Sequence, residues 1–322
     1  MRKIASLSLD LDNKWSYMKT HGDSGWEAYP SYLDVVVPRA LEFFKERNVD
    51  LTFFVVGQDA ALPQNHDAIR SIAEAGHEIG NHSFNHEPWL HLYSKAELVK
   101  EFERSEEAIQ QVTGNRTRGF RGPGFSLSST VLEVLAERNY IYDCSTLPTY
   151  IAPLARAYYF LNSPEMSDEE REKRKKLFGK FSDGFQSLAP FVRSIDGRDL
   201  VEIPVTTMPF LKFPIHASYL IYLSTYSNAL ARLYWKTALT LCHSAGVAPS
   251  LLLHPLDLLC GDDAPELKFF PGMDLALSKK LEFLDWILGT LSDRYEILNM
   301  LGHANRVLES TLPLERSQEA IL

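Results

Sequence analysis

Several apolar runs in this chain end on a residue able to do chemistry. "IGNHSFNH" (79–86) places His82 and His86 four apart. Two imidazoles at that spacing arise often by chance. They gain meaning only if a hard third ligand and a reactive group occur elsewhere. "SLDLDN" (8–13) supplies two acids, Asp10 and Asp12, which at a strand's period of two point to the same side. "FRGPG" ends a run on Arg121, "YDCS" holds Asp143, and "SLLLH" ends on His254. Two imidazoles and one carboxylate, with positions left open for water and substrate, make a typical site for catalytic zinc or a similar divalent ion. Such an ion acidifies water and polarises a carbonyl. Of two clustered aspartates, one can then bind metal while the other serves as general base. A histidine from another strand can protonate the leaving group, and an arginine can hold the free aspartate ionised and oriented.

The bland readings of these residues are an Asx-type turn for the acids and a core histidine for His254. Arg121 could equally be a surface residue before a Pro-Gly turn, and Asp143 an ordinary turn residue. The reactive reading rests on convergence, which depends on the elements. "KIASLSL", "LTFFVV", "HEIGNHS", "TRGFRG" and "YIYDCS" read as strands. They alternate with the helical runs "YLDVVVPRALEFFKERN", "HDAIRSIAEAG" (stopped at Gly76), "SKAELVKEFERSEEAIQQVTG" (capped by Ser94) and "SSTVLEVLAERN". After about residue 199, "LVEIPVT", "PSLLLH" and "YEILNM" read as strands, with helices over 227–246 and 278–293. This βα alternation predicts an α/β fold, a deformed (β/α) barrel of about seven strands in one domain. In such a barrel the catalytic groups sit where the strands end. Residues of about 150–199 break the pattern and are expected to be an insertion, a lid or substrate-binding segment or a mere excursion. The charge-dense "SDEEREKRKKL" within it reads as a solvated face. A helical tail is expected at about 299–322.

The motifs, taken together and in order, resemble the polysaccharide deacetylases of the NodB-homology fold over roughly residues 3 to 260. The resemblance implies that Asp12, His82 and His86 bind a divalent metal, zinc first, with cobalt, manganese and iron as alternatives. It makes Asp10 the base and His254 the acid. It also implies that Arg121 orients Asp10 and that the Gly124 N–H, just past Pro123, helps hold the oxyanion. Asp143 matches the family's arginine-supporting acid, and Phe125 and Trp89 are further substrate-contacting candidates. Trp15, His21, Trp26 and Asp257 lie within reach of the motif loops. His77 and His243 read as structural, and no role attaches to His66, His91, His216 or His303. Asn81 and Asn85 read as turn residues.

The chain departs from the family in three places. Leu11 separates acids that are usually adjacent, the residue after Pro123 is glycine where tyrosine is common, and the fourth motif's tryptophan is missing. These points favour a small or lipid-linked N-acyl sugar over a wall polymer. The expected reaction is removal of an acetyl or other small acyl group from an amino sugar. The alternatives are hydrolysis of a non-sugar C–N bond or a non-catalytic glycan-binding role.

The 322 residues are 45% hydrophobic and 23% charged, with a formal charge of −9, which speaks against a nucleic-acid binder. Three scattered cysteines suggest a reducing compartment, and no apolar run is long enough to span a bilayer, so a cytoplasmic protein is expected. The aromatic run over 217–235 reads as core or a dimer interface, with contact to a membrane surface as the alternative.

Overall fold

A computed structural model describes residues 3–151 and 181–311. Most of the expected insertion, and the last part of the expected tail, lie outside the described residues.

The chain opens with β1 (Ile4–Asp10), α1 (Lys14–His21), α2 (Leu33–Lys45), β2 (Thr52–Val55), α3 (Gly57–Ala61) and α4 (His66–Glu74). Then come β3 (Glu78–Asn81), α5 (Lys95–Thr113), β4 (Gly119–Phe120), α6 (Ser129–Glu137) and β5 (Tyr142–Asp143). The second part holds β6 (Phe191–Ile195), β7 (Arg198–Glu202), α7 (Ala217–Tyr226), α8 (Asn228–Ala245) and β8 (Ser250–Leu253). It ends with α9 (Leu277–Ser292), β9 (Glu296–Leu298) and α10 (Met300–Thr311).

Local chemistry explains the boundaries. In α5, Ser94 and Glu97 form a capping box and Gly114 closes the helix at φ 71°. Its buried stripe runs Leu98, Glu101, Phe102, Ser105, Ile109, Val112, at helical spacing. α1 was not anticipated, because its buried side (Trp15, Ser16, Met18) follows no apolar stripe. It is set instead by its caps, the Asn13 side chain at the start and Gly22 at φ 97°.

Among the described residues nine strands form one sheet, in the order β6-β7-β5-β4-β3-β2-β1-β8, with β9 added to β1. The sequence pattern reads eight of these, and β6 is the one it does not. β2 and β9 share one edge of β1, pairing with its last and first residues respectively, while β8 takes the other edge. All pairings are parallel except β6 with β7. That hairpin turns at Asp196 and Gly197, both left-handed at φ 50° and 77°. Asp-Gly is a strong hairpin signal that was legible in the sequence. The segment leaving β7 follows β5, with the Val205 N–H on the Thr146 carbonyl at 2.9 Å. It then reaches β8, where the Ser250 N–H donates to Thr206 Oγ1 at 2.7 Å. The sheet thus curls back on itself through an irregular segment, giving the deformed barrel.

β2 and β8 are buried along their whole length, as strands covered on both faces must be. Trp235 of α8 is fully buried, and its Nε1–H donates to Thr290 Oγ1 on α9 at 2.7 Å. Among the described residues no helix is long and apolar enough to cross a membrane.

Register places the reactive ends level. Asp10 pairs with Phe54, Asn81 with Phe120, and Phe120 with Asp143, while Leu9 pairs with Leu253, one residue before His254. Truncating Trp235 to Ala should cost about 3–5 kcal/mol, the range for a large aromatic removed from a packed core. The check is the free energy of unfolding by denaturant titration.

Candidate active site

Asp12 lies two residues past the end of β1, with its Oδ1 2.9 Å from His86 Nε2 and 3.3 Å from His82 Nε2. Donor atoms of the three residues all lie within 4.8 Å of one another. The two histidines come from a tight loop rather than a helix face. Ser83 and His86 both take left-handed backbone, at φ 62° and 51°, a costly conformation for residues with a Cβ.

The loop is held by groups behind it. Glu101, 4% exposed on the buried stripe of α5, accepts the Phe84 and Asn85 N–H groups at 3.0 and 2.6 Å and the Asn85 side-chain amide at 2.6 Å. Asn81 accepts from Ser83 N–H at 2.9 Å and Ser105 Oγ at 2.7 Å, and donates to the Tyr140 hydroxyl. Asn81 and Asn85 are therefore anchors of the loop, more than turn residues. Glu101 was missed, although an acid on an apolar helix stripe is a readable signal.

Charge at this corner asks for a cation. The His82 Nδ1–H donates to the Arg121 carbonyl at 2.6 Å, which leaves the Nε2 lone pair facing the Asp12 carboxylate. Two acceptors face one another unless a proton or a cation lies between them. Burial works against an ionised Asp12, yet His86 and His82 outweigh it and hold its pKa well below the usual range. Burial also opposes a charged His82, but Asp10, Asp12 and the Arg121 carbonyl lift it above the ordinary value. The donor set of one carboxylate and two imidazoles fits a divalent metal.

Behind this corner lies a buried carboxyl the sequence reading missed. Asp59 accepts from Asn13 Nδ2 at 2.7 Å, Trp15 Nε1 at 2.9 Å and Asn65 Nδ2 at 3.1 Å, all on Oδ1. Its Oδ2 is buried without a hydrogen-bond partner among the described residues. Burial pushes its pKa up to about 7, partly offset by those hydrogen bonds. Trp15, one of the weaker sequence candidates, is buried and meets His86 edge-on at 6.3 Å.

Arg121 is fully buried. Its Nη1 donates to Asp10 Oδ1 at 2.7 Å and to Ser8 Oγ at 2.8 Å, while Nε donates to the Cys144 carbonyl at 3.2 Å. The next residue must be glycine, since a Cβ on Gly122 would fall 2.2 Å from the Ser126 carbonyl oxygen. Pro123 is buried and Phe125 half-buried, while Gly124 is exposed at φ 58° beside Pro88, next to the half-buried Trp89. Asp143 is not placed against Arg121. It accepts the Ser145 N–H at 3.0 Å and hydroxyl at 2.6 Å, and Ser145 Oγ accepts the Gly122 N–H at 2.8 Å. Asp143 thus braces the glycine loop, and the arginine is held instead by Asp10, the Ser8 hydroxyl and the Cys144 carbonyl.

On the other side of β1, His254 Nδ1 lies 3.0 Å from Ser218 Oγ on α7. Asp257 accepts the His254 backbone N–H at 2.9 Å. Burial raises the Asp257 pKa, and the neighbouring His254 and Ser218 oppose that rise. Tyr17 on α1 joins the two halves. Burial, then Asp12, Tyr32, Asp257 and Asp10, lift its phenol well above the usual value, so it stays a protonated donor among the acids. Neither Tyr17 nor Ser218 had a sequence signal. Of the other weak candidates, His21 pairs with Asp23 at 2.9 Å and stacks on Phe269. Trp26 is half-buried with Lys19 over its ring.

Parallel strands of a deformed barrel thus end on a set of acids, imidazoles and an arginine. A family model described as polysaccharide deacetylase matches residues 23–142. The chain is 28% identical over 174 residues to a peptidoglycan deacetylase of Helicobacter pylori, covering 53% of each. It is 30% identical over 104 residues to a peptidoglycan-N-acetylglucosamine deacetylase of Bacillus cereus, covering 32% of this chain and 37% of that one. The chain thus spans about half or less of the length of these curated relatives. A Mycobacterium smegmatis protein assigned to the polysaccharide deacetylases superposes with a TM-score of 0.64 at 22% identity, over 97% of this chain and 93% of that one. An allantoinase superposes at 0.56 and 17% identity, over 97% and 92%. These two likenesses show the shared fold. Over residues 23–142 the chain is thus similar to the polysaccharide deacetylases.

Two substitutions test how the site is held. Glu101→Ala leaves three donors of the 84–85 loop without their acceptor and should cost about 2–4 kcal/mol in a urea titration. Asp59 has a folded pKa above its unfolded value, so its contribution is fully present below about pH 4 and is lost as pH rises through about 7. Asp59→Asn keeps the accepting oxygen. In metal-free protein it should therefore flatten the fall in stability across that window and raise the melting temperature at pH 8.

Proposed function

We propose that this protein hydrolyses the amide of an N-acyl amino sugar or sugar conjugate, releasing acetate or another small acid, with a divalent metal held by Asp12, His82 and His86. The observation that carries this reading is the juxtaposition at one rim of two units. One is the Asp12–His82–His86 cluster, and the other is a carboxylate, Asp10, held by a buried arginine. The likeness of residues 23–142 to polysaccharide deacetylases supports the same reaction class.

The ion, zinc first among the divalent metals, would supply Lewis-acid polarisation of the acyl carbonyl. Everything else falls to this chain's residues. The Arg121 carbonyl engages the His82 Nδ1–H, which leaves Nε2 as the ring atom that would face the ion. Asp10 is fixed through Oδ1 by Arg121 and serves as the acceptor for the attacking water's proton. The exposed Gly124 N–H lies on the loop that Ser145 braces, and in our reading it donates to the oxyanion. His254, held at Nδ1 by Ser218, delivers a proton from Nε2 to the departing nitrogen. Glycine in place of a bulkier residue at 124 leaves that rim open, which suits a small or lipid-linked sugar better than a gripped polymer.

The test is acetate release from a panel of N-acetylated amino sugars. Chelated protein should be inactive and should recover on addition of zinc, cobalt or manganese. Asp12→Ala should lose stoichiometric metal binding. Asp10→Asn should bind metal normally yet lose about 10³-fold in rate. If metal-loaded Asp10→Asn deacetylates at the wild-type rate, the mechanism is wrong.

A further inference from the structure

His216 carried no sequence signal, yet it stands beside His254, with ring centroids 6.1 Å apart and planes at 78°. It is the N-cap of α7, and its Nδ1 accepts the Tyr219 N–H at 3.3 Å. A ring nitrogen that accepts carries no hydrogen, so the proton of the neutral ring sits on Nε2. Burial, reinforced by His254, pushes the pKa of His216 down to about 3. The imidazole is therefore a neutral donor throughout the range in which an amidase works. It is only half-buried, so a ligand at the rim can reach it. Ser218, two residues on, holds His254 at Nδ1, so the first turn of α7 fixes both rings together.

We propose that His216 binds substrate in the leaving-group subsite, donating from Nε2–H to a neutral oxygen on the carbon next to the departing nitrogen. The substrate class is then an N-acyl vicinal amino alcohol, such as a ring amino sugar with a free neighbouring hydroxyl, rather than a simple N-acyl amine or an N-acyl amino acid. A neutral imidazole offers a hydrogen bond without the charge that would attract a carboxylate. This assignment rests on the reading that His254 protonates the departing nitrogen.

The experiment pairs one variant with one analogue. His216→Ser keeps a preferred cap for α7 and removes the imidazole. It should melt like wild type and lose about tenfold in kcat/KM on N-acetylglucosamine, as expected for one hydrogen bond to substrate. On the 3-deoxy analogue wild type should lose the same factor, and His216→Ser should lose nothing further. Nitrogen NMR of the ring should show a hydrogen on Nε2 and none on Nδ1 from pH 5 to 9. Full activity of His216→Ser, multiplying effects of variant and analogue, or an Nδ1–H tautomer would each overturn the assignment alone. Failure of wild type to release acetate from any sugar, or full activity in His254→Ala, would overturn the underlying reading and this inference with it.

Discussion

A guanidinium with no exposed surface must be matched by charge and by acceptors, and Arg121 finds them across the sheet through Nη1 and Nε, while its buried Nη2 has no hydrogen-bond partner among the described residues. Its side chain takes Asp10 and Ser8 from β1 and the carbonyl that follows β5, while its own carbonyl takes the His82 imidazole. One residue thereby sets the orientation of Asp10 and the tautomer of a metal-ligand candidate. Burial opposes its charge, and Asp10 outweighs that cost and raises its pKa. The phenyl ring of Phe54 lies 4.6 Å from the guanidinium and covers it, so the pair is shielded from competing water.

The loops around this pair are shaped by what stands behind them. The 82–86 loop holds left-handed backbone at two residues with side chains, a conformation that persists only where the surroundings over-determine it. Glu101, Asn81 and Ser105 supply that determination. The Arg-Gly-Pro-Gly loop is treated likewise by Asp143 through Ser145. A rigid second layer of this kind suits a centre whose ligands must stay close together despite their mutual cost.

The two chemical halves are also segregated in space. The acids and imidazoles that suit a metal sit where β1 and β3 end. The other side sits at the end of β8 and the first turn of α7, where Ser218 and Asp257 hold His254 and His216 stands alongside. Tyr17 lies between them among Asp12, Asp257 and Asp10.

How much of this was legible in the sequence follows from which interactions are local. Strand and helix identities come from periodicity and caps within a few residues, so the sequence alone places "SLDLDN", "HSFNH", "RGPG" and "LLLH" at strand ends. Convergence of Asp10, Asp12, His82, His86, Arg121 and His254 follows, because parallel strands in one register end level. Asp196-Gly197 was equally local and was overlooked. What only the tertiary structure decided was the support: Glu101 and Asp59 beneath the metal corner, Asp143 bracing a loop rather than the arginine, and Ser218 and His216 arriving on a helix. Most of those partners lie between 16 and 46 residues from the groups they serve, and Asp10 lies 111 from Arg121. Their meeting is fixed by burial and hydrogen-bond demand, and linear spacing does not encode it.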